Sequence, residues 1–316
     1  MRAWLFDGPK KPLRRADVDV PVPAPGNVLI KVRGAGLCHS DVGFLDGTLH
    51  VPVQSQLSIV LGHEAAGEIA AVGDGVAEWH VGDKVVAAGS LDDCPGGTRD
   101  GAYADYFTAT ASRLVRLPEG TDWGQAAAST DAGVTSYFAV VARGGVRAGD
   151  RVGIVGLGGL GLTGARIAVL RGATVFAAEP REETWELARA AGVDRIVTDV
   201  SEYEGLNLDV VVDFAGFGTT TNGAVKAVKP GGVVVQVGLG LSEFPIQTWD
   251  WVMRNVTLVG STPDGDPEHL RAVIEMVASG NLSFPLEAID FEDIPEGLRR
   301  LARGEVTGRL YAALPE

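Results

Sequence analysis

The sequence predicts an α/β protein in which a doubly wound parallel sheet is joined to a second, β-rich domain. Three observations carry this. The chain has 316 residues, comfortable for two domains and long for one core. Up to about residue 130 it reads as short strands and turns, such as Val28-Leu29-Ile30-Lys31-Val32 bounded by proline and glycine. Beyond that point, apolar strand-like runs alternate with helix-compatible stretches, the pattern of βαβ units.

The elements follow in order. An apolar helix-like stretch runs from Val134 to Arg143, Gly149-Asp150 turns the chain, and Arg151 to Val155 reads as a short buried strand. Strand-like runs recur at Ala173 to Ala178, Val210 to Phe214, Val233 to Val237 and Val256 to Gly260. After Pro263 a helix pattern, Glu268 to Ser279, leads to mixed elements ending in Gly308-Arg309-Leu310-Tyr311. That tail is too short for a third domain and is expected to rejoin the first. The expected division is therefore 1–132 with 261–316 as one domain and 133–260 as the other.

Composition narrows the partners. Hydrophobic residues at 46% permit an ordinary core, and the 43 glycines, lacking a collagen-like period, mark turns and close backbone approaches. A formal net charge of -14 disfavours nucleic acid and anionic membrane surfaces, which leaves a small-molecule substrate. Two cysteines, Cys38 and Cys94, cannot build a disulfide framework and fit a metal or catalytic role in a reducing compartment. The opening MRAWLFDGPKKPLRR lacks the layout of a secretory signal, and no uncharged apolar run reaches about 18 residues, so a cytoplasmic protein is expected.

Directly after the strand at 151–155 comes Gly156-Leu157-Gly158-Gly159-Leu160-Gly161, then a helix pattern from Leu162 to Arg171. Alone such a run is a weak signal. Here strand, glycine turn, helix, second strand and a terminal acidic residue appear in the order that binds a dinucleotide. Gly156 permits the tight turn, Gly158 lets a pyrophosphate approach the backbone, and Gly161 allows close helix packing, with Gly159 and Leu160 offering helix-start amides. Glu179 falls 18 residues past Gly161, where a carboxylate would accept from ribose hydroxyls and repel a 2'-phosphate. NAD is the expected cofactor. A merely solvated Glu179, or an Arg181 that favours NADP, are the competing readings.

Cys38 in Gly36-Leu37-Cys38-His39-Ser40-Asp41 and His63-Glu64 in Gly62-His63-Glu64-Ala65-Ala66-Gly67 put zinc-type donors on two separate loops. Together with the glycine run they resemble the medium-chain, zinc-containing alcohol dehydrogenase family over nearly the whole chain, whose members join a GroES-like catalytic domain to a Rossmann domain. The resemblance implies one catalytic zinc on Cys38 and His63, with the third ligand just before the nucleotide-binding domain. That position is Asp131 in Ser129-Thr130-Asp131-Ala132-Gly133-Val134-Thr135, as in a subgroup of secondary alcohol dehydrogenases. Asp131 as a plain helix N-cap is the alternative. Glu64 is left as either an exchangeable fourth ligand or a neighbouring carboxylate. The resemblance further implies that Ser40 starts a proton relay, His39 faces a cofactor phosphate, Thr135 packs on the nicotinamide and Arg309 reaches the pyrophosphate.

Two departures stand out. Between Val85 and Tyr106 only Cys94 remains of the four cysteines that hold a second, structural zinc in many members, so that ion is not expected and Cys94 is read as a free thiol. The position of the last relay histidine is Gly43, so the relay must end in water, His39 or His50, the last of which reads more simply as a surface-loop residue. The implied activity is hydride transfer between NAD and an alcohol or carbonyl compound in a homo-oligomer. The rivals are an enone or quinone reductase on the same scaffold without zinc, and a non-enzymatic nucleotide-binding protein.

Overall fold

The computed structural model describes residues 1–49 and 58–315. The chain folds into two compact units, Met1–Val134 with Pro263–Glu316, and Thr135–Thr262.

The first unit opens with strands β1 (Arg2–Phe6) and β2 (Arg14–Asp17), then the long β3 (Asn27–Leu37) and helix α1 (His39–Asp46). Strands β4 (Ile59–Val60), β5 (Glu64–Val72), β6 (Lys84–Ala87), β7 (Tyr106–Thr110) and β8 (Leu114–Arg116) follow, and then α2 (Trp123–Ala128). Asp122 caps α2, its carboxylate accepting from the Gln125 amide at 3.0 Å. A π-helical turn, Ser129–Gly133, continues directly into α3 (Val134–Tyr137). Asp131 therefore lies inside a continuous helical run and does not cap one.

In the second unit a further π-helical stretch, Phe138–Arg143, leads to β9 (Arg151–Val155), α4 (Gly159–Leu170), β10 (Thr174–Ala178), α5 (Trp185–Ala190) and β11 (Arg195–Val197). Then come β12 (Leu208–Asp213), α6 (Thr219–Ala227), β13 (Val228–Gln236), α7 (Thr248–Met253) and β14 (Thr257–Gly260). The parallel sheet has the order β11-β10-β9-β12-β13-β14, with the reversal of winding between β9 and β12. Ligands of such sheets bind outside the carboxyl ends of the strands at that point. The valine-rich interior strands are apolar on both faces, as a covered parallel sheet requires. The short β11 escapes a periodicity reading because three residues carry no pattern.

The chain then returns to the first unit with α8 (Pro267–Ala278), β15 (Leu286–Asp290), α9 (Ile294–Ala302) and β16 (Arg309–Ala313). Antiparallel pairing of β16 with β3 adds the tail to the sheet β15-β16-β3-β5-β6-β8. This pairing sets Arg309, the first residue of β16, beside the end of β3, close to Cys38. The unit's core gathers Val28, Ile30, Leu37, Leu61, Tyr103, Phe107 and Leu310. No helix among the described residues is long and apolar enough to cross a membrane.

Candidate active site

Cys38 follows β3 directly and is the N-cap of α1. Its amide donates to the Asp41 carboxylate at 3.2 Å, a capping contact that fixes the thiol at the helix start. Glu64 opens β5 opposite Gly36, and a Cβ at Gly36 would lie 2.2 Å from a Glu64 carboxylate oxygen. Only glycine leaves room for that carboxylate. Thr130 ties the π-helical turn to β5, its hydroxyl accepting from the Ala65 amide at 3.2 Å. Helix start, strand start and turn thus deliver their side chains to one place.

There the donor atoms of Cys38, His63, Glu64 and Asp131 all lie within 4.8 Å of one another. Cys38 Sγ is 3.3 Å from Asp131 Oδ2, and His63 Nε2 is 3.9 Å from the same oxygen. Both gaps are shorter than two zinc–ligand bonds of about 2.0–2.3 Å placed end to end, so one ion can be shared by the three. His63 turns its Nδ1 toward Asp41 Oδ1 at 3.5 Å, leaving Nε2 for a metal. Asp41 is fully buried and its other oxygen accepts from Tyr103 Oη at 2.8 Å.

The electrostatics fit a cation. Burial, then the negative charge of Asp131, pushes the Cys38 thiol up, so it stays a thiol that donates to that carboxylate. Burial pushes the Glu64 carboxyl up to about 7 against the pull of Arg309. Burial also opposes charge on His63 and Asp131, yet Asp41 and Asp131 hold the imidazolium well above its ordinary range, while His63 and Arg309 hold Asp131 below its own. A buried thiol and two carboxylates beside a histidine are donors that a divalent ion would bind with loss of protons.

Arg309, at the start of β16, adds a cation to the cluster. Its buried guanidinium donates through Nε to Glu64 Oε2 at 3.2 Å, through Nη2 to Glu64 Oε1, and through Nη2 to Asp131 Oδ2 at 2.8 Å. A guanidinium removed from water needs such partners. Glu64 correspondingly has both oxygens on Arg309. Ser40 lies beside the donors, its Oγ 3.7 Å from Cys38 Sγ, and His39 is exposed. Gly43 faces Leu49, whose Cγ would be 2.7 Å from an added Cβ, so a leucine fills the space at the missing relay position. His50 lies outside the described residues.

In the second unit Gly156 adopts φ +84°, the left-handed turn that favours glycine. A Cβ at Gly161 would sit 1.7 Å from the Gly156 carbonyl oxygen, whereas one at Gly158 would meet nothing within 4 Å. The turn is tight on its packed side and open on the other, and Gly159 with Leu160 begins α4. Glu179 is buried, with Oε2 accepting from the Leu157 amide at 2.7 Å and Oε1 from Arg181 Nε at 2.9 Å. Burial works against its charge, but Arg181 and the turn amide keep its carboxyl below the ordinary glutamate range. Thr135 is buried at the first turn of α3.

Sequence reasoning passed over Asp41 as an orienting residue and Tyr103 as its partner. The signal for Asp41 was its place three residues after Cys38, at a helix start. Tyr103 left none beyond an apolar aromatic.

A cluster of thiol, imidazole and carboxylates able to hold a metal ion in one unit, and a glycine turn at the switch point of a parallel sheet in the other, are the parts of a nucleotide-dependent oxidoreductase. Residues 24–119 match the alcohol dehydrogenase GroES-like domain and residues 159–279 the zinc-binding dehydrogenase family. An alcohol dehydrogenase of Geobacillus stearothermophilus is 32% identical over 340 aligned positions, covering 98% of either chain. The crystal structure of the alcohol dehydrogenase from Aeropyrum pernix superposes with a TM-score of 0.90 at 28% identity, covering 99% of this chain and 100% of that one. The acetophenone reductase of Geotrichum candidum in complex with NAD superposes with a TM-score of 0.89 at 29% identity, covering 99% and 97%. The chain belongs to the medium-chain, zinc-type alcohol dehydrogenase family.

Proposed function

We propose that this protein is a cytoplasmic, homo-oligomeric, NAD-preferring alcohol dehydrogenase with one catalytic zinc per chain, acting on secondary alcohols and their ketones. The observation that carries the reading is the convergence of Cys38, His63 and Asp131 on one buried point. Bound there, zinc supplies Lewis-acid polarisation of an alcohol oxygen. Bound NAD supplies the hydride acceptor.

The chain's own residues do the rest. Asp41 keeps the His63 Nδ1 proton on its own side, so that Nε2 faces the donors. Arg309 offsets the charge of Glu64 and Asp131, which lets three acidic donors share a buried site without expelling one another. Ser40 Oγ would accept the alcohol proton as its own hydroxyl proton moves on. With Leu49 backing Gly43, α1 offers no imidazole at that position to receive it, and the proton passes to solvent. The glycine turn and the start of α4 hold the pyrophosphate by backbone amides, and Glu179 takes the adenosine ribose.

The secondary-alcohol preference is supported by Asp131 in the ligand position and by the ketone named for the Geotrichum candidum relative. One experiment tests the whole. Elemental analysis of the wild-type protein should give one zinc per chain, and a panel of matched primary and secondary alcohols with NAD should show higher kcat/KM for the secondary members. Cys38→Ser should lose zinc and activity together while keeping its circular dichroism. Two tightly held zinc ions, a consistent primary preference, or ready reduction of an enone without alcohol oxidation would overturn it, the last in favour of the zinc-free reductase.

A further inference from the structure

At the carboxyl end of β12 stands a further fully buried carboxylate, Asp213, which the chemistry above does not use. Its Oδ1 accepts from the amides of Ala215 and Gly216, both at 2.9 Å. Its Oδ2 accepts from the hydroxyls of Thr220 and Thr221 in the first turn of α6, both at 2.8 Å. Thr221, itself fully buried, also lies 2.9 Å from Gln236 Oε1, and Gln236 Nε2 donates to the Gly238 carbonyl at 2.7 Å.

These bonds join two loops. The amides of Val237 and Gly238 donate to the Asp213 carbonyl at 2.9 and 3.0 Å, and those of Gly240 and Leu241 donate to Ala215 and Gly216 at 3.2 and 3.0 Å. A Cβ at Gly216 would lie 2.1 Å from the Gly238 oxygen, so the loops after β12 and β13 are in direct contact. Ala215 in turn backs the glycine turn, lying 3.3 Å from where a Cβ of Gly156 would be.

The position decides the role. In a sheet of this order, the half formed by β9, β10 and β11 takes the adenosine side of a dinucleotide, and the half beginning at β12 takes the other mononucleotide. Both Asp213-bound loops lie at the carboxyl edge of that second half. They carry Phe217, Leu239 and Leu241, which are 53%, 71% and 48% exposed although apolar. A buried carboxylate is a costly way to stabilise a sheet. What it supplies is direction, because four donors from a loop and a helix start must converge on two oxygens.

We propose that Asp213, with Thr221 and Gln236, is a positioning residue that fixes these two loops for the nicotinamide half of the cofactor and leaves the adenosine half untouched. The inference rests on the NAD reading above. Its test is Thr221→Val, which exchanges a hydroxyl for a methyl group, measured against NADH by fluorescence and against 5'-AMP, which carries the adenosine half alone, by calorimetry. The Kd for NADH should rise about tenfold while that for 5'-AMP stays at the wild-type value. Thr221→Ser should restore NADH affinity, and Asp213→Asn carries the same comparison should Thr221→Val not fold. Equal weakening of both ligands, or no change in either, overturns the proposal. A wild-type protein that binds neither ligand would instead sink the NAD reading itself.

Discussion

Glu179 shows how one residue combines stability and selectivity. Its carboxyl is held below the ordinary glutamate value of 4.5, burial being outweighed by Arg181 and by the backbone donors of Leu157 and Arg181. A depressed pKa in the folded state means stability that is present above the unfolded value and lost as pH falls through the folded one. Glu179→Gln should therefore be less stable than wild type by about 1 kcal/mol at neutral pH, discounted for the half-exposed Arg181, and the difference should shrink as pH falls below the ordinary glutamate range. The same change removes the charge that opposes a 2'-phosphate, so the ratio of kcat/KM for NADPH to that for NADH should rise. An unchanged ratio would mean that Arg181 governs the adenosine pocket. Cys38, His63 and Glu64 were legible as metal-type donors from residue type, and Glu179 from its place after the glycine turn, whereas Asp131 was reached only through the family resemblance; the structure brings Cys38, His63, Glu64 and Asp131 together. Arg309 was legible as a cation but not by its partner. It meets Glu64 across 245 positions of sequence, and only the pairing of β16 with β3 brings them together.

At the scale of elements, the nucleotide turn depends on the start of α4 packing hard against its own strand. The Gly156 oxygen occupies the place where a Cβ of Gly161 would be, so Gly161→Ala must push the helix start away from β9. NADH affinity should fall by about five- to 150-fold, since overpacking of this kind costs about 1–3 kcal/mol. Zinc content should stay at the wild-type level, because the donors belong to the other unit. Wild-type NADH binding in that variant would show that the close packing is not required. The strand at Arg151–Val155 was legible to the residue, since glycines bound it on both sides. The reading of β13 was too short: the ladder begins at Val228, before the Lys229-Pro230-Gly231-Gly232 segment that local chemistry marks as a turn. The π-helical turn holding Asp131 was not legible, because its residues suit an ordinary α-helix and the altered hydrogen bonding appears only in three dimensions.

For the molecule as a whole, the division of labour is physical. The unit rich in antiparallel strands holds the metal donors, and the parallel sheet carries the nucleotide turn at its switch point. One feature of the second unit points outward. Strand β14 pairs with β13 on one side and with no strand on the other among the described residues. Just before it, α7 exposes Trp249, Val252 and Met253 at 73%, 62% and 60%. An open apolar edge beside exposed aromatic and aliphatic side chains is an aggregation liability in a monomer and a resource in a symmetric dimer, where one edge pairs with its own copy. A net charge of -14 opposes indiscriminate association, and a specific interface with a second copy is the use expected of that edge. A stable interface buries about 1,200–2,000 Å², more than a four-residue strand alone can supply, so the exposed face of α7 is expected to take part. Light scattering of the wild-type protein at micromolar concentration should give at least twice the mass of one chain. Val259→Lys, which puts a charge at a half-buried position of the edge strand, should shift that mass toward the monomer while leaving zinc content unchanged. A wild-type protein of monomer mass would remove the dimer, and a dimer insensitive to Val259→Lys would move the interface away from β14.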